Sequence, residues 1–265
     1  MKVFLFLAGF IITVLAQGQD VCNQQQFLYC NNQLGQFWRT DTSTAWKDLS
    51  VLSRITQSLI TSPYTIDSVI NVCNGFSSFY GCLTPTNIRN CLGTVGLVGS
   101  GLTLDNAYAY QGFMADWDFK CGAGFWTMYE RKPLATCIEN TYVNYATDAQ
   151  AALITYMTAT SQNPTNACTY AQNLMNAWQK TYQTGPCRTV NPAQAGWYGC
   201  QSAREWSNAQ FRHCKHVTTC ASPTSLNAVT RINPSTGKTE FQTLQTHQIV
   251  DNKAVVLEEA DWISE

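Results

Sequence analysis

His213-Cys214-Lys215-His216 sets two imidazoles three residues apart around a thiol, which is metal-ligand material. That chemistry needs a thiolate. The chain holds twelve cysteines, an even number, and in an exported protein such a set reads as a disulfide framework of six bridges. A bridged sulfur does not bind zinc as a thiolate does. The stretch therefore reads as a polar helix end whose basic residues offset the dipole. No metal or other cofactor is expected. Cysteine–histidine catalysis fails for the same reason, because no thiol is left over as a nucleophile. There is no Gly-x-Ser-x-Gly and no His-Glu-x-x-His. No catalytic residue is assigned.

Asp116 and Asp118 flank Trp117. Two carboxylates beside an aromatic ring would suit sugar chemistry, although neighbouring acids on a helix surface are the commoner arrangement. Gly93-Thr-Val-Gly96-Leu-Val-Gly99-Ser-Gly101 lacks the Gly-Lys-Ser/Thr ending and the preceding strand of a phosphate loop. It reads as a flexible connector between helices. Phe113, Trp117, Phe125, Trp126 and Tyr129, with Phe119, gather around Cys121. They fill a core or line an apolar ligand pocket.

These residues need a scaffold, and the spacing of apolar positions makes it helical. Trp46, Leu49, Leu52, Ile55 and Leu59 recur at threes and fours behind a Ser43-Thr44 cap, up to Ser62-Pro63. A second helix carries Ile66, Val69, Ile70, Cys73 and Phe76, with Gly81 and Pro85 at its end. A third runs from Thr103 to Trp117. The longest expected helix covers Leu134 to Tyr156. Another opens at Pro164-Thr165 and stops at Gly185, and a last one covers Ala193 to His213. No alternating strand pattern appears before residue 220.

Cysteine placement fits packed helices. Cys73, Cys82 and Cys91 are nine residues apart. On one helix, nine steps of about 100° put neighbours on opposite faces. With Gly81 and Pro85 between them, they are expected to tether separate elements. Twelve cysteines allow roughly ten thousand connectivities, so the pairing stays open. Phe79-Tyr80-Gly81-Cys82 faintly echoes Trp197-Tyr198-Gly199-Cys200, but the surrounding spacings differ.

Met1-Lys2, an apolar run from Val3 to Leu15, and small residues at Ala16 and Gly18 form a secretion signal. The run is shorter than the roughly 20 residues a membrane span needs. Residues 1–18 are therefore expected to be removed, leaving a soluble extracellular chain. Residues 19–220 form one cysteine-rich domain. Residues 221–265 hold six acidic and three basic residues and no cysteine. They read as a polar acidic tail of irregular structure, with one short strand or turn of helix at Gln248 to Leu257. The expected fold is all-α: a compact disulfide-stapled multi-helix domain with an irregular C-terminal tail.

Net charge is −1 and only 12% of residues are charged, about half the usual share. The basic residues are scattered, so no nucleic-acid partner is indicated. The aromatic content supplies a real core, to which the bridges add.

Val72-Cys-Asn-Gly-Phe-Ser-Ser-Phe-Tyr-Gly-Cys-Leu83 followed by Cys91, and Phe119-Lys-Cys-Gly-Ala-Gly-Phe125 followed by Cys137, form an ordered pattern. It resembles the secreted cysteine-rich helical domain expanded in nematodes and catalogued as domain of unknown function family nineteen. The resemblance covers Cys22 to Cys220 and rests on motif order and cysteine total. The spacings at Cys168, Cys187, Cys200, Cys214 and Cys220 follow it less closely. It implies an extracellular protein with no catalytic residues to carry over. Insect odorant-binding proteins share the class, but their Cys-x-x-x-Cys spacing is absent.

Three functions follow as expectations. The first is an extracellular module that binds a protein or surface partner. The second is a carrier of a small apolar ligand, held by the aromatic residues near Cys121. The third is a hydrolase with a dispersed site.

Overall fold

A computed structural model describes residues 21–61, 66–129, 132–221, 230–236, 239–242, 246–250, 253–258 and 262–264. The segment read from the sequence as a secretion signal, 1–18, lies outside the described residues. Ten α-helices carry the described chain up to Cys220: α1 (Gln24–Trp38), α2 (Leu49–Thr61), α3 (Ile66–Asn87), α4 (Thr94–Gly99), α5 (Leu104–Cys121), α6 (Ala123–Tyr129), α7 (Lys132–Asn144), α8 (Ala146–Gln162), α9 (Ala167–Thr184) and α10 (Pro192–Gln210). The all-α expectation for this stretch holds.

Local chemistry sets the boundaries. Asn23 caps α1 by accepting from Gln26 N, and Arg39 ends it in the left-handed conformation. Thr103 caps α5 in the same way through Asn106 N. The sequence gives no forewarning of α1. Its Gln- and Asn-rich surface hides a buried face of Cys30, Leu34 and Trp38.

Two expectations move, and one holds. α3 breaks between Gly81 and Pro85 as expected: Thr84 adopts φ 66°, ψ 153°, and a short helical stretch continues beyond this kink to Asn87. A following proline disfavours the helical region for the residue before it. The single helix expected from Leu134 to Tyr156 is two, broken at Tyr145. α7 packs on the turn around Cys187, whereas α8 packs on α9. Different partners pull the two segments apart. The glycine-rich run is no loose connector either: Thr94–Gly99 is helical, and a Cβ on Gly96 would stand 1.9 Å from Asn90 O.

All twelve cysteines are bonded. Cys22–Cys91, Cys30–Cys82 and Cys73–Cys121 lie in the first half; Cys137–Cys187, Cys168–Cys214 and Cys200–Cys220 lie in the second. Cys73 and Cys82 share the one helix α3, contrary to the expectation of separate elements. They do point to different partners, Cys73 to the end of α5 and Cys82 to α1, as opposite faces of a helix require.

No bridge joins the two sets, so packing joins them. One apolar cluster runs from Leu34, Phe76 and Phe79 through Phe113 and Trp117 to Trp178 and Trp206. A second gathers Phe119, Met128, Leu134, Ile138, Tyr182 and Tyr198. Burying each such side chain contributes about 1.5–3 kcal/mol. The echoed motifs diverge here. A Cβ on Gly199 would lie 2.4 Å from the Tyr182 ring, while one on Gly81 meets nothing within 4 Å.

Beyond Cys220 the helical fold ends. The described residues form β1 (Thr230–Ile232), β2 (Thr239–Gln242), β3 (Thr246–Val250), β4 (Lys253–Glu258) and β5 (Trp262–Ser264). β2 pairs antiparallel with β1 and with β5. β3 and β4 form an antiparallel pair. The one short strand or turn of helix expected at Gln248 to Leu257 is thus parts of two strands. Among the described residues no helix is long and apolar enough to cross a membrane.

Candidate functional site

The residues with unusual chemistry converge inside the helical core. Asp116 and Lys120 stand one turn apart on α5, so their side chains share a face. Lys120 Nζ lies 2.6 Å from Asp116 Oδ2, with the two side chains 5% and 4% exposed. The hydroxyl of Ser202, on α10, donates to Asp116 Oδ1. The ammonium also sits 4.5 Å from the Tyr142 ring centre and 5.1 Å from that of Trp117. Burial raises the Asp116 carboxyl above its ordinary range, and the Lys120 charge and Ser202 hydroxyl pull against that.

Glu139, on α7, is buried nearby with no partner on Oε1, and Trp117 Nε1 has none either. Burial pushes the Glu139 carboxyl up to about 7. A cavity of about 20 Å³ touches Lys120, Glu139, Trp117, Tyr142 and Tyr198. That is room for about one water. No substrate fits, so this arrangement can hold a proton or a water but has no space for a reacting molecule.

The sequence singled out Asp116 only as one of two neighbouring acids. Asp116 is buried and Asp118 is exposed, so the two do not converge. Lys120 and Glu139 carried no signal, because a charge is read as surface until its partner is known.

Phe113 and Trp117 do come together, with ring centres 6.4 Å apart, but inside the core against Trp206 and Tyr142. Phe125 is half-buried beside the second cluster. The side chains of Trp126 and Tyr129 lie outside the described residues. Space for a ligand occurs elsewhere. A cleft of about 300 Å³ opens where the start of α5 meets the ends of α8 and α10, between Asp105, Tyr108, Met157, Trp206 and Gln210. A groove of about 150 Å³ follows α8 and α9 past Tyr156, Tyr170 and Leu174. Both form at helix ends and crossings, which no local motif encodes.

Among the described residues the one cluster of metal-type ligands is Cys168, His213 and Cys214, with ligand atoms within 4.8 Å of one another. Its two sulfurs are bonded together, so the cluster offers one imidazole and no thiolate. No protein-family model, curated protein or solved structure matches this chain.

Proposed function

We propose that this chain is a secreted extracellular module that binds a protein or surface partner. The observation that carries this reading is the complete pairing of twelve cysteines. Such pairing persists in oxidising compartments and leaves no sulfur nucleophile. The Cys22–Cys91 bridge also ties the segment bearing exposed Val21 to the one bearing Val95 and Val98. Val95 is 87% exposed, and it lies one turn from Val98 on α4. Apolar side chains left in water suit a partner. The nematode-expanded cysteine-rich domain is the family we propose for it.

A second reading, a carrier of a small ligand, draws on the 300 Å³ cleft between α5, α8 and α10. Its volume reaches the lower end of ligand sites.

Expression of the full chain in a eukaryotic secretory line tests the proposal. The expected product is in the medium, starts at Gln17 or Gln19, and has no free thiol after denaturation. Organic extraction of that product with mass spectrometry should release no stoichiometric small molecule. A co-purifying lipid or apolar compound would favour the carrier. A cytosolic product with free thiols would overturn both.

A further inference from the structure

The Cys168–Cys214 bridge differs from the other five in what surrounds its sulfur. Cys214 sits in the 3₁₀ turn Arg212–His216 that follows α10, and Cys168 in the first turn of α9. His213 Nε2 lies 3.6 Å from Cys214 Sγ. A disulfide sulfur has no hydrogen to give, so this contact is a hydrogen bond in the tautomer or protonated form that carries a proton on Nε2. Among the described residues no other bridge has a ring nitrogen on its sulfur. Arg212, Lys215 and His216, all exposed, complete a turn with no acidic residue.

We propose that Cys168–Cys214 is an exchangeable disulfide, opened by an external thiolate that attacks Cys168 Sγ and expels Cys214 Sγ into the hydrogen bond of His213. Burial sets the direction, because the start of α9 favours a thiolate on Cys168 just as His213 favours one on Cys214. Cys214 is 0% exposed, whereas Cys168 is half-buried, so Cys168 is the more accessible partner of the bridge. Thiolates are stabilised beside cations and hydrogen-bond donors, and a better-stabilised thiolate leaves faster. A donor aimed at Cys214 strengthens when that sulfur takes the negative charge.

The electron balance is that of thiol–disulfide exchange. The attacking thiolate forms a new S–S bond to Cys168, the Cys168–Cys214 bond breaks, and its electron pair goes to Cys214. A second thiolate then attacks the mixed disulfide at the external sulfur. It releases the external disulfide and leaves Cys168 as a thiolate. Two external thiols are oxidised and one bridge is reduced. The fold survives locally, because Cys200–Cys220 still anchors the segment after α10, and the Trp178 and Tyr182 face of α9 still packs on Gly199.

Treatment of the native full chain with graded reduced glutathione tests this, with timed alkylation and peptide mass spectrometry. Cys168 and Cys214 should be labelled first, the glutathione adduct should be on Cys168, and His213→Gln should open several-fold more slowly. The Cys73–Cys121 bridge in the same digest reports any general unfolding. Opening of that bridge at the same rate, an adduct on Cys214, or an unchanged rate in His213→Gln would each overturn the proposal.

Discussion

Gly112 of α5 faces the Trp206 indole of α10 so closely that a Cβ on it would stand 2.6 Å from Trp206 Nε1. This contact sits where the two cysteine sets meet. All six bridges close within one set or the other. The joint between α5 and α10 is therefore non-covalent, built from this close approach and the Ser202–Asp116 hydrogen bond.

Gly112→Ala should lower stability by about 1–3 kcal/mol, because an added methyl in a filled core forces the indole out of place. Gly81→Ala is the matched control. It lies in a helix with nothing within 4 Å of the new Cβ, so it should be neutral or stabilising by about 0.5–1 kcal/mol. Urea unfolding of both variants, bridges intact, checks this. Equal midpoints would show that the α5–α10 approach relaxes without strain.

Glu139 should make stability fall as pH rises. Its carboxyl moves from 4.5 to about 7 on folding. Between these values the folded chain keeps a proton that the unfolded chain gives up. The penalty thus grows from the lower value, reaches full size above the higher one, and is absent below both. Glu139→Gln removes it. The variant should match the parent near pH 4.5 and exceed it by about 1–2 kcal/mol at pH 8, allowing for solvent screening. A constant difference across that range would assign the effect to packing.

Lys120 is legible only in three dimensions, and it marks the limit of what the sequence discloses. The cysteine count announces a stapled domain, and the apolar spacing places α2, α5, α9 and α10 nearly correctly. Those signals are local. Pairing of cysteines depends on which faces meet, so the nine-residue spacing of Cys73 and Cys82 permits their divergence without naming α1 and α5. The break at Tyr145 comes from two packing partners, not from a proline or glycine. The aromatic residues near Cys121 read as core ahead of pocket, and Phe113 and Trp117 lie in the core.

Lys120→Met should be among the most damaging single changes. It leaves the Asp116 carboxylate buried with Ser202 as its remaining partner, and breaking such a pair costs about 3–5 kcal/mol. Adding Asp116→Leu removes the orphaned charge, so the double variant should be more stable than Lys120→Met. Thermal melts of the single and double variants check this. A double variant worse than either single would mean that both groups act through other contacts.

The bridges should differ in weight by the loops they close. Cys30–Cys82 spans 52 residues and Cys200–Cys220 spans 20. In the chain-entropy account, the longer loop restricts the unfolded state by roughly 1 kcal/mol more. Paired replacement by alanine avoids a stray thiol, which single Cys82→Ser would leave on buried Cys30. Cys30→Ala with Cys82→Ala should therefore melt below Cys200→Ala with Cys220→Ala. Two local features moderate the first loss. Cys22–Cys91 still holds the start of α1, and Gln26 Nε2 still donates to the backbone of residue 82 at 2.8 Å. Secretion should persist in both paired variants and fall in single Cys82→Ser, whose free thiol mispairs. Full secretion of the single variant with an unchanged melting temperature would show that this bridge is dispensable to the fold.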